Sequence, residues 1–492
     1  MQQHLRLTLA TATAAALTGG LLAFTSATAT AADSAHVPQA DFNGDKIGDV
    51  AFSVWGATVT GKARAGQLAV LYGSASGISS AKRSLISQNS TGTPDAAETG
   101  DGFGSEHAYA DFNGDGFDDI AVSAPWDDVR GDADSGTLTV LWGSRSGITG
   151  RGVLIPDPAP GAHDNWGKNL AAGDFDGDGK ADLAVGNTTN TVYVYKGGIT
   201  ASGAAGRART AFKAPVKSGG TARGPINLTA GDVNGDRRTD LIVDGYETTS
   251  RAGWNRNFYV PGTASGLNVS AAKSLKPGVI TGVDDINNDG FGDIVSGWDA
   301  DTTQPDGTAT PYAGKGGKVW ITYGSATGPG SVVGITQDTG NVPGTAENND
   351  WFGFELDLGD INGDGFADLA VGAAGESIGD DADTGVVTVL YGSRTGLNVT
   401  SGGQAFSQDT AGVPDAGEDK DMFGYDVKLD DVTGDGRADL IVGSAENAGD
   451  GTVTFLPSGG TRITATGSRV VTPTAAGVST AGQPMFGANF AD

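Results

Sequence analysis

The chain has 492 residues, 81 of them glycine, a formal net charge of −28 and no cysteine. The excess of 59 acidic over 31 basic residues argues against nucleic acid and anionic membranes as partners, which it would repel, and suits divalent cations. Disulfides are ruled out, and the short apolar runs set among Gly, Ser, Thr and Asp argue for strands joined by turns rather than for helices.

In chain order, residues 1–32 come first and differ from the rest. Arg6 precedes an Ala/Leu-rich stretch, Leu7–Phe24, and then the small residues "SATATAAD". This is the layout of a secretory signal with cleavage near Ala31 or Ala32, and its apolar core is too short and too interrupted for a membrane span. The mature chain, 33–492, is therefore expected to be exported, with no transmembrane segment.

From Asp41 onward one acidic nonapeptide returns seven times: "DFNGDKIGD", "DFNGDGFDD", "DFDGDGKAD", "DVNGDRRTD", "DINNDGFGD", "DINGDGFAD" and "DVTGDGRAD", starting at Asp41, Asp111, Asp174, Asp232, Asp285, Asp360 and Asp431. Calcium takes six to eight oxygen ligands at a flexible site. Side chains at positions 1, 3, 5 and 9 and the carbonyl of position 7 supply such oxygens. The candidate ligands are Asp41, Asn43, Asp45, Ile47 and Asp49 in the first loop, and Asp111, Asn113, Asp115, Phe117 and Asp119 in the second. The third offers Asp174, Asp176, Asp178, Lys180 and Asp182, and the fourth Asp232, Asn234, Asp236, Arg238 and Asp240. The fifth offers Asp285, Asn287, Asp289, Phe291 and Asp293, the sixth Asp360, Asn362, Asp364, Phe366 and Asp368, and the seventh Asp431, Thr433, Asp435, Arg437 and Asp439. Three or four carboxylates within nine residues repel one another unless a cation joins them. An EF-hand would need Glu at position 12 between two helices. Position 12 is instead Phe52, Val122, Val185, Val243, Ser296, Val371 or Val442, inside an apolar strand. Up to seven calcium ions are expected. Lys46, Arg237 with Arg238, and Thr433 should make the first, fourth and seventh sites looser.

Each loop runs into a strand such as "IAVSA" or "LAVGA", and a second strand ending in a Gly-Ser turn follows, as in "GTLTVLWGSRSGI". Upstream stands a further strand opened by an aromatic residue and Gly: Phe103-Gly104, Trp166-Gly167, Phe352-Gly353 and Phe423-Gly424. About four strands per unit of 53–75 residues, repeated, predict a β-propeller. The first loop lacks its aromatic, with Asp33 in that place, while "MFGANFAD" supplies an orphan Phe486-Gly487 at the other end. The expected fold is therefore all-β, a seven-bladed propeller over 33–492 whose ring is closed by the C-terminal strand pairing into the first blade. Closure removes exposed sheet edges.

Phe-Gly, then "DFNGDG", then "IAVSAP" resembles the FG-GAP repeat of the integrin α-subunit propeller, and the likeness covers nearly all of residues 37–492. The resemblance implies a seven-bladed propeller with calcium in several blade loops. That family includes adhesion receptors, secreted bacterial proteins and phospholipase-linked proteins, so the fold leaves the activity open.

Motifs of catalysis are sparse. "GESIG" around Ser377 fits G-x-S-x-G but is followed by "DDADTG" rather than by a helix, as a nucleophile elbow requires. His36 stands near the mature N-terminus, His107 falls in a Phe-Gly strand where a core role is expected, and His163 precedes Trp166 in a loop and is expected to be solvated. "RGD" at Arg130–Asp132 is short enough to arise by chance in an acidic loop. Sequons at Asn89, Asn187, Asn227, Asn268 and Asn398 make a glycoprotein only in a host that modifies them. Antiparallel strands put the acidic nonapeptides on one rim. The opposite rim receives "TPDAAETGDG" (93–102), "VPGTAENNDW" (342–351), "VPDAGEDKDM" (413–422), "WDDVRGDADSG" (126–136) and "ESIGDDADTG" (376–385). These residues point to a secreted, monomeric, calcium-binding adhesion module for an extracellular protein or glycan, with no catalytic residue assigned. The alternative is an extracellular hydrolase, esterase or phospholipase-like, on the same scaffold.

Overall fold

The computed structural model describes residues 39–201, 209–220, 223–249 and 254–491, with only the backbone at 447–448. The predicted leader, Asp33 and His36 lie outside the described residues. Seven antiparallel sheets follow one another along the chain, each built from consecutive strands, and together they form a seven-bladed β-propeller. Blade 2 is typical: His107–Ala110, Asp119–Ala124, Thr137–Leu141 and Gly152–Leu154. Blade 1 spans 50–86, and blades 3 to 7 span 170–213, 227–274, 280–335, 352–406 and 426–471. Among the described residues, helix is limited to Val269–Ala271, Glu446–Gly449 and Pro473–Ala476.

Burial is graded along the radius of the ring. The first strands of blades 2 to 7 touch one another in succession and so line the axis. Second strands such as Asp119–Ala124 and Asp368–Ala373 are buried at every residue. They are flanked within the sheet and covered on both faces by neighbouring blades, which is why they read as unbroken apolar runs. Fourth strands such as Arg209–Lys213 face solvent and turn polar. The core is shared between blades: Ala121, Leu138 and Val140 of blade 2 pack with Trp166, Leu170 and Leu183 of blade 3. Position 2 of every nonapeptide (Phe42, Phe112, Phe175, Val233, Ile286, Ile361 or Val432) is buried and pins its loop to this core.

The Phe-Gly pair has a physical cause. The aromatic residue is buried at Phe103, Trp166, Phe352, Phe423 and Phe486. The glycine beside it has φ near +90° at Gly104, where a Cβ would stand 2.4 Å from the Gln67 carbonyl of the preceding blade. Only glycine fits such a left-handed contact.

Blade 1 has three named strands where the others have four. Residues 486–491 lie beside its innermost strand, Val50–Val54. The Ser53 amide donates to the Asn489 carbonyl at 2.8 Å and the Ala491 amide to the Ala51 carbonyl at 2.9 Å, with a single antiparallel bridge between Phe52 and Phe490. In blade 2 the Ser123 amide donates to Glu106 in the same way. The same segment touches both neighbours. The Phe490 amide donates to Asp426 Oδ2 of blade 7 at 2.7 Å, and Asn489 Nδ2 to the Ser105 carbonyl of blade 2 at 2.8 Å.

Candidate functional site

Each nonapeptide leads into a buried strand of its blade, in blades 2 to 7 from the first strand to the second, and folds around its own first carboxylate. The position 1 Asp accepts the backbone amides of positions 5 and 6 in all seven loops, and of position 4 in all but the fifth, at 2.7–3.2 Å. Position 5, from Asp45 through to Asp435, accepts the amide of position 7 (Ile47, Phe117, Lys180, Arg238, Phe291, Phe366 or Arg437) at 3.0–3.2 Å. These are Asx turns in series.

Position 9 is the hub. Asp49, Asp119, Asp182, Asp240, Asp293, Asp368 and Asp439 are each no more than 1% exposed. One oxygen of each accepts the amide that opens the turn after the third strand: Gly73, Gly143, Gly197, Gly262, Gly324, Gly392 or Ser458, at 2.7–3.0 Å. The sequence pattern of Gly-Ser turns is thus the other half of this contact, a pairing no local reading could supply. Burial raises these carboxyls, helped by the neighbouring loop carboxylates, to about 8 at Asp49, Asp119 and Asp368 and about 7 at Asp182, Asp240, Asp293 and Asp439.

The donor set fits a hard cation. In the third loop, carboxylate oxygens of Asp174, Asp176 and Asp182 lie within 4.8 Å of one another. Two ligand positions carry a buried oxygen without a partner, Asn287 Oδ1 in the fifth loop and Asp439 Oδ2 in the seventh. The basic residues behave less uniformly than the sequence suggests. Arg238 pairs with Asp236 at 3.2 Å and Arg437 with Asp435 at 3.6 Å, each engaging a position 5 carboxylate. Lys196 pairs with Asp176 at 2.6 Å, so the third loop also has a competing cation. Its signal is the Lys directly after the strand Thr191–Tyr195, where better copies have Tyr or Trp before the Gly-Ser.

The other end of the channel carries a feature the sequence did not disclose. A cavity of about 440 Å³ opens among the starts of the first strands, opposite the nonapeptides. Its lining includes Trp55, Trp126, Phe354 and Tyr425 with Glu106 and Lys168. Trp126 is 36% exposed, and Trp55 meets it edge-on at 6.0 Å. Lys168 Nζ donates to the carbonyls of Arg223 and Pro225 at 2.7 and 3.0 Å, and burial lowers the amine to about 8 against the pull of Glu106.

His163 is a correction. It is 6% exposed rather than solvated, stacked on Trp166 at 5.8 Å with Nε2 3.4 Å from Asp157. The aromatic that opens the blade pulls the loop inward. His107 is buried in its strand, paired with Val122. Ser377 lies exposed in a loop, its hydroxyl accepting the Asp383 amide at 3.3 Å.

Sequence profiles for the FG-GAP repeat match residues 103–141 and 352–390, and one for the FG-GAP-like repeat matches 174–243. The chain is an FG-GAP repeat propeller. This FG-GAP propeller is similar to phosphatidylinositol-glycan-specific phospholipase D of Mus musculus, at 31% identity over 30% of the chain, and of Bos taurus, at 31% over 36%. Those matches span only 17% and 18% of the relatives' own lengths. Among solved structures the FG-GAP propeller is similar to the exotype rhamnogalacturonan lyase YesX, at 13% identity and a TM-score of 0.38 over 85% of this chain and 71% of that one. Among the described residues no helix is long and apolar enough to cross a membrane.

Proposed function

We propose that this FG-GAP propeller is exported, holds calcium in its nonapeptide loops and acts as an extracellular binding and adhesion module. Its ligand, a protein or glycan, docks at the channel mouth opposite those loops. The observation that carries the reading is the mouth itself. It is a cavity lined by aromatic faces and by charged and amide groups from separate blades, on a rigid scaffold, where binding sites are found on propellers and other frameworks. Protein and glycan arrays probed with the exported chain should give a defined hit. Trp126→Ala should weaken that hit at least tenfold in a chain that still folds, since Trp126 is part exposed. Equal binding by the variant removes the mouth as the site.

The hydrolase reading is favoured by one observation, the name of the curated relatives, which are phospholipases D. It lacks a catalytic pair: among the described residues Ser377 is hydrogen-bonded to the Asp383 amide rather than to a histidine or carboxylate. Esterase and phosphodiesterase assays on the full chain are expected to read background. Turnover abolished by Ser377→Ala would reverse the ranking.

A further inference from the structure

Three loops on the rim of the channel mouth repeat a constellation of their own. Gln88, Gln337 and Gln408 stand just past the outermost strands of blades 1, 5 and 6. Asp101, Asp350 and Asp421 follow thirteen residues later, two before Phe103, Phe352 and Phe423 of the next blade. Asp127, Glu376 and Glu446 then come just past that blade's second strand. The fold brings each trio together. Gln88 Nε2 donates to Asp127 Oδ2 at 3.2 Å, Gln337 Nε2 to Glu376 Oε2 at 2.7 Å and Gln408 Nε2 to Glu446 Oε1 at 2.8 Å. The Asp of each trio accepts an amide within its own loop, from Glu98, Glu347 or Glu418, at 2.5–2.8 Å.

The same atom is orphaned in all three copies. The glutamines are only 2–3% exposed, and Gln88 Oε1, Gln337 Oε1 and Gln408 Oε1 are buried without a hydrogen-bond partner. The amide head of each lies against the carboxyl, so a half-turn of its plane exchanges nitrogen for oxygen there. Asp101, Asp350 and Asp421 are buried as well, and among the described residues no lysine or arginine forms an ion pair with any of the six acids, although Lys315 stands near Asp350. Buried carboxyls and an unsatisfied amide oxygen, with no protein cation, are what an oxygen-seeking ion fills.

We propose that these three blade junctions are a second class of divalent-cation site, taking calcium between the glutamine oxygen of one blade and the two acids of the next. They differ from the nonapeptides in place and in role. They lie at the other end of the second strand, about 20 Å away at ~3.3 Å per residue, and they tie adjacent blades where the nonapeptide closes a turn within one. The sites are graded. Asp95, within hydrogen-bonding reach of Asp127, and Asp415, close to Glu446, add a carboxylate at the first and third, whereas Gly344 holds that place in the second, which binds most weakly.

The test counts ions. Calcium bound per chain is measured by equilibrium dialysis and elemental analysis for the full chain and for Asp127→Asn, Glu376→Gln and Glu446→Gln, singly and combined. The expected loss is one ion per single substitution and three in the combined variant, with the melting temperature in chelator unchanged or higher, because each substitution removes a carboxyl without a cationic partner, buried at Asp127 and Glu446 and half-buried at Glu376. An unchanged count in the combined variant overturns the proposal. A second readout uses the unaltered fold. The Trp126 amide bonds the Asp101 carbonyl and Trp351 follows Asp350 directly, so terbium ions added to the chain should give tryptophan-sensitised emission that calcium competes away. The combined variant Trp126→Phe with Trp351→Phe should lose more than half of it. Emission that is absent, or indifferent to these tryptophans, also overturns the proposal.

Discussion

Single residues here are asked to do opposite things, and the conflict can be read from their charges. The seven position 9 aspartates are buried to seat a turn, so burial holds their carboxyls at about 7 to 8. An unfolded aspartate titrates near 4, so between about pH 4 and pH 8 the metal-free folded chain binds more protons than the unfolded one, and stability falls as pH rises through that window. In chelator the melting temperature should therefore drop steadily from pH 5 to pH 8, and excess calcium should flatten the slope. A chelated chain equally stable at both ends would show that these carboxyls are not strained. Two other residues carry backbone strain. Lys46 has φ +67° and Arg237 φ +66°, where most other copies have glycine. Lys46→Gly and Arg237→Gly should each relieve about 1 kcal/mol of left-handed strain, partly offset by greater freedom in the unfolded chain, and should tighten calcium at those loops. Calorimetry with and without calcium measures both. The sequence flagged these two positions because a left-handed turn is a local property. It did not flag Lys196 against Asp176, because that pair joins the end of one strand to a loop on another.

Among the elements, the telling comparison is between blade 1 and the rest. Strand type was legible throughout: alternation and turn chemistry are short-range signals, and the second strands begin at or next to the last residue of each acidic loop. What lies beside the innermost strand of blade 1 is a question of distance in sequence. Residues 486–491 reach Ser53 and Ala51, as well as both neighbouring blades, through the hydrogen bonds described above. Phe486 is fully buried with its ring 4.7 Å from that of Phe52. That this segment latches the ring is a proposal, and two changes test it. Phe486→Ala should cost about 3–5 kcal/mol, the usual toll for emptying a buried aromatic site. Deleting 484–492 should lower the melting temperature further and expose a sheet edge that promotes aggregation. A truncated chain melting at the original temperature would leave the ring closed by other means.

At the scale of the whole molecule, an acidic propeller without cysteine has few ways to brace long loops, and bound ions are the one its composition favours. Removing calcium with a chelator at neutral pH should lower the melting temperature, because a ligand of the folded state stabilises it in proportion to its saturation. No change would remove calcium from the account of stability, whatever the channel mouth binds. The sequence by itself determined the repeat, the number of blades, the place of the acidic loops in each blade and the polarity of the strands, because these follow from spacing and alternation over a few residues. Only the tertiary structure decided which carboxyls are buried, that His163 turns inward beside Trp166, that Trp126 and Lys168 meet at one mouth, and that Gln88, Gln337 and Gln408 face acids of the next blade. Each of those depends on blades folded separately and then packed side by side, which brings together residues tens of positions apart that no local pattern connects.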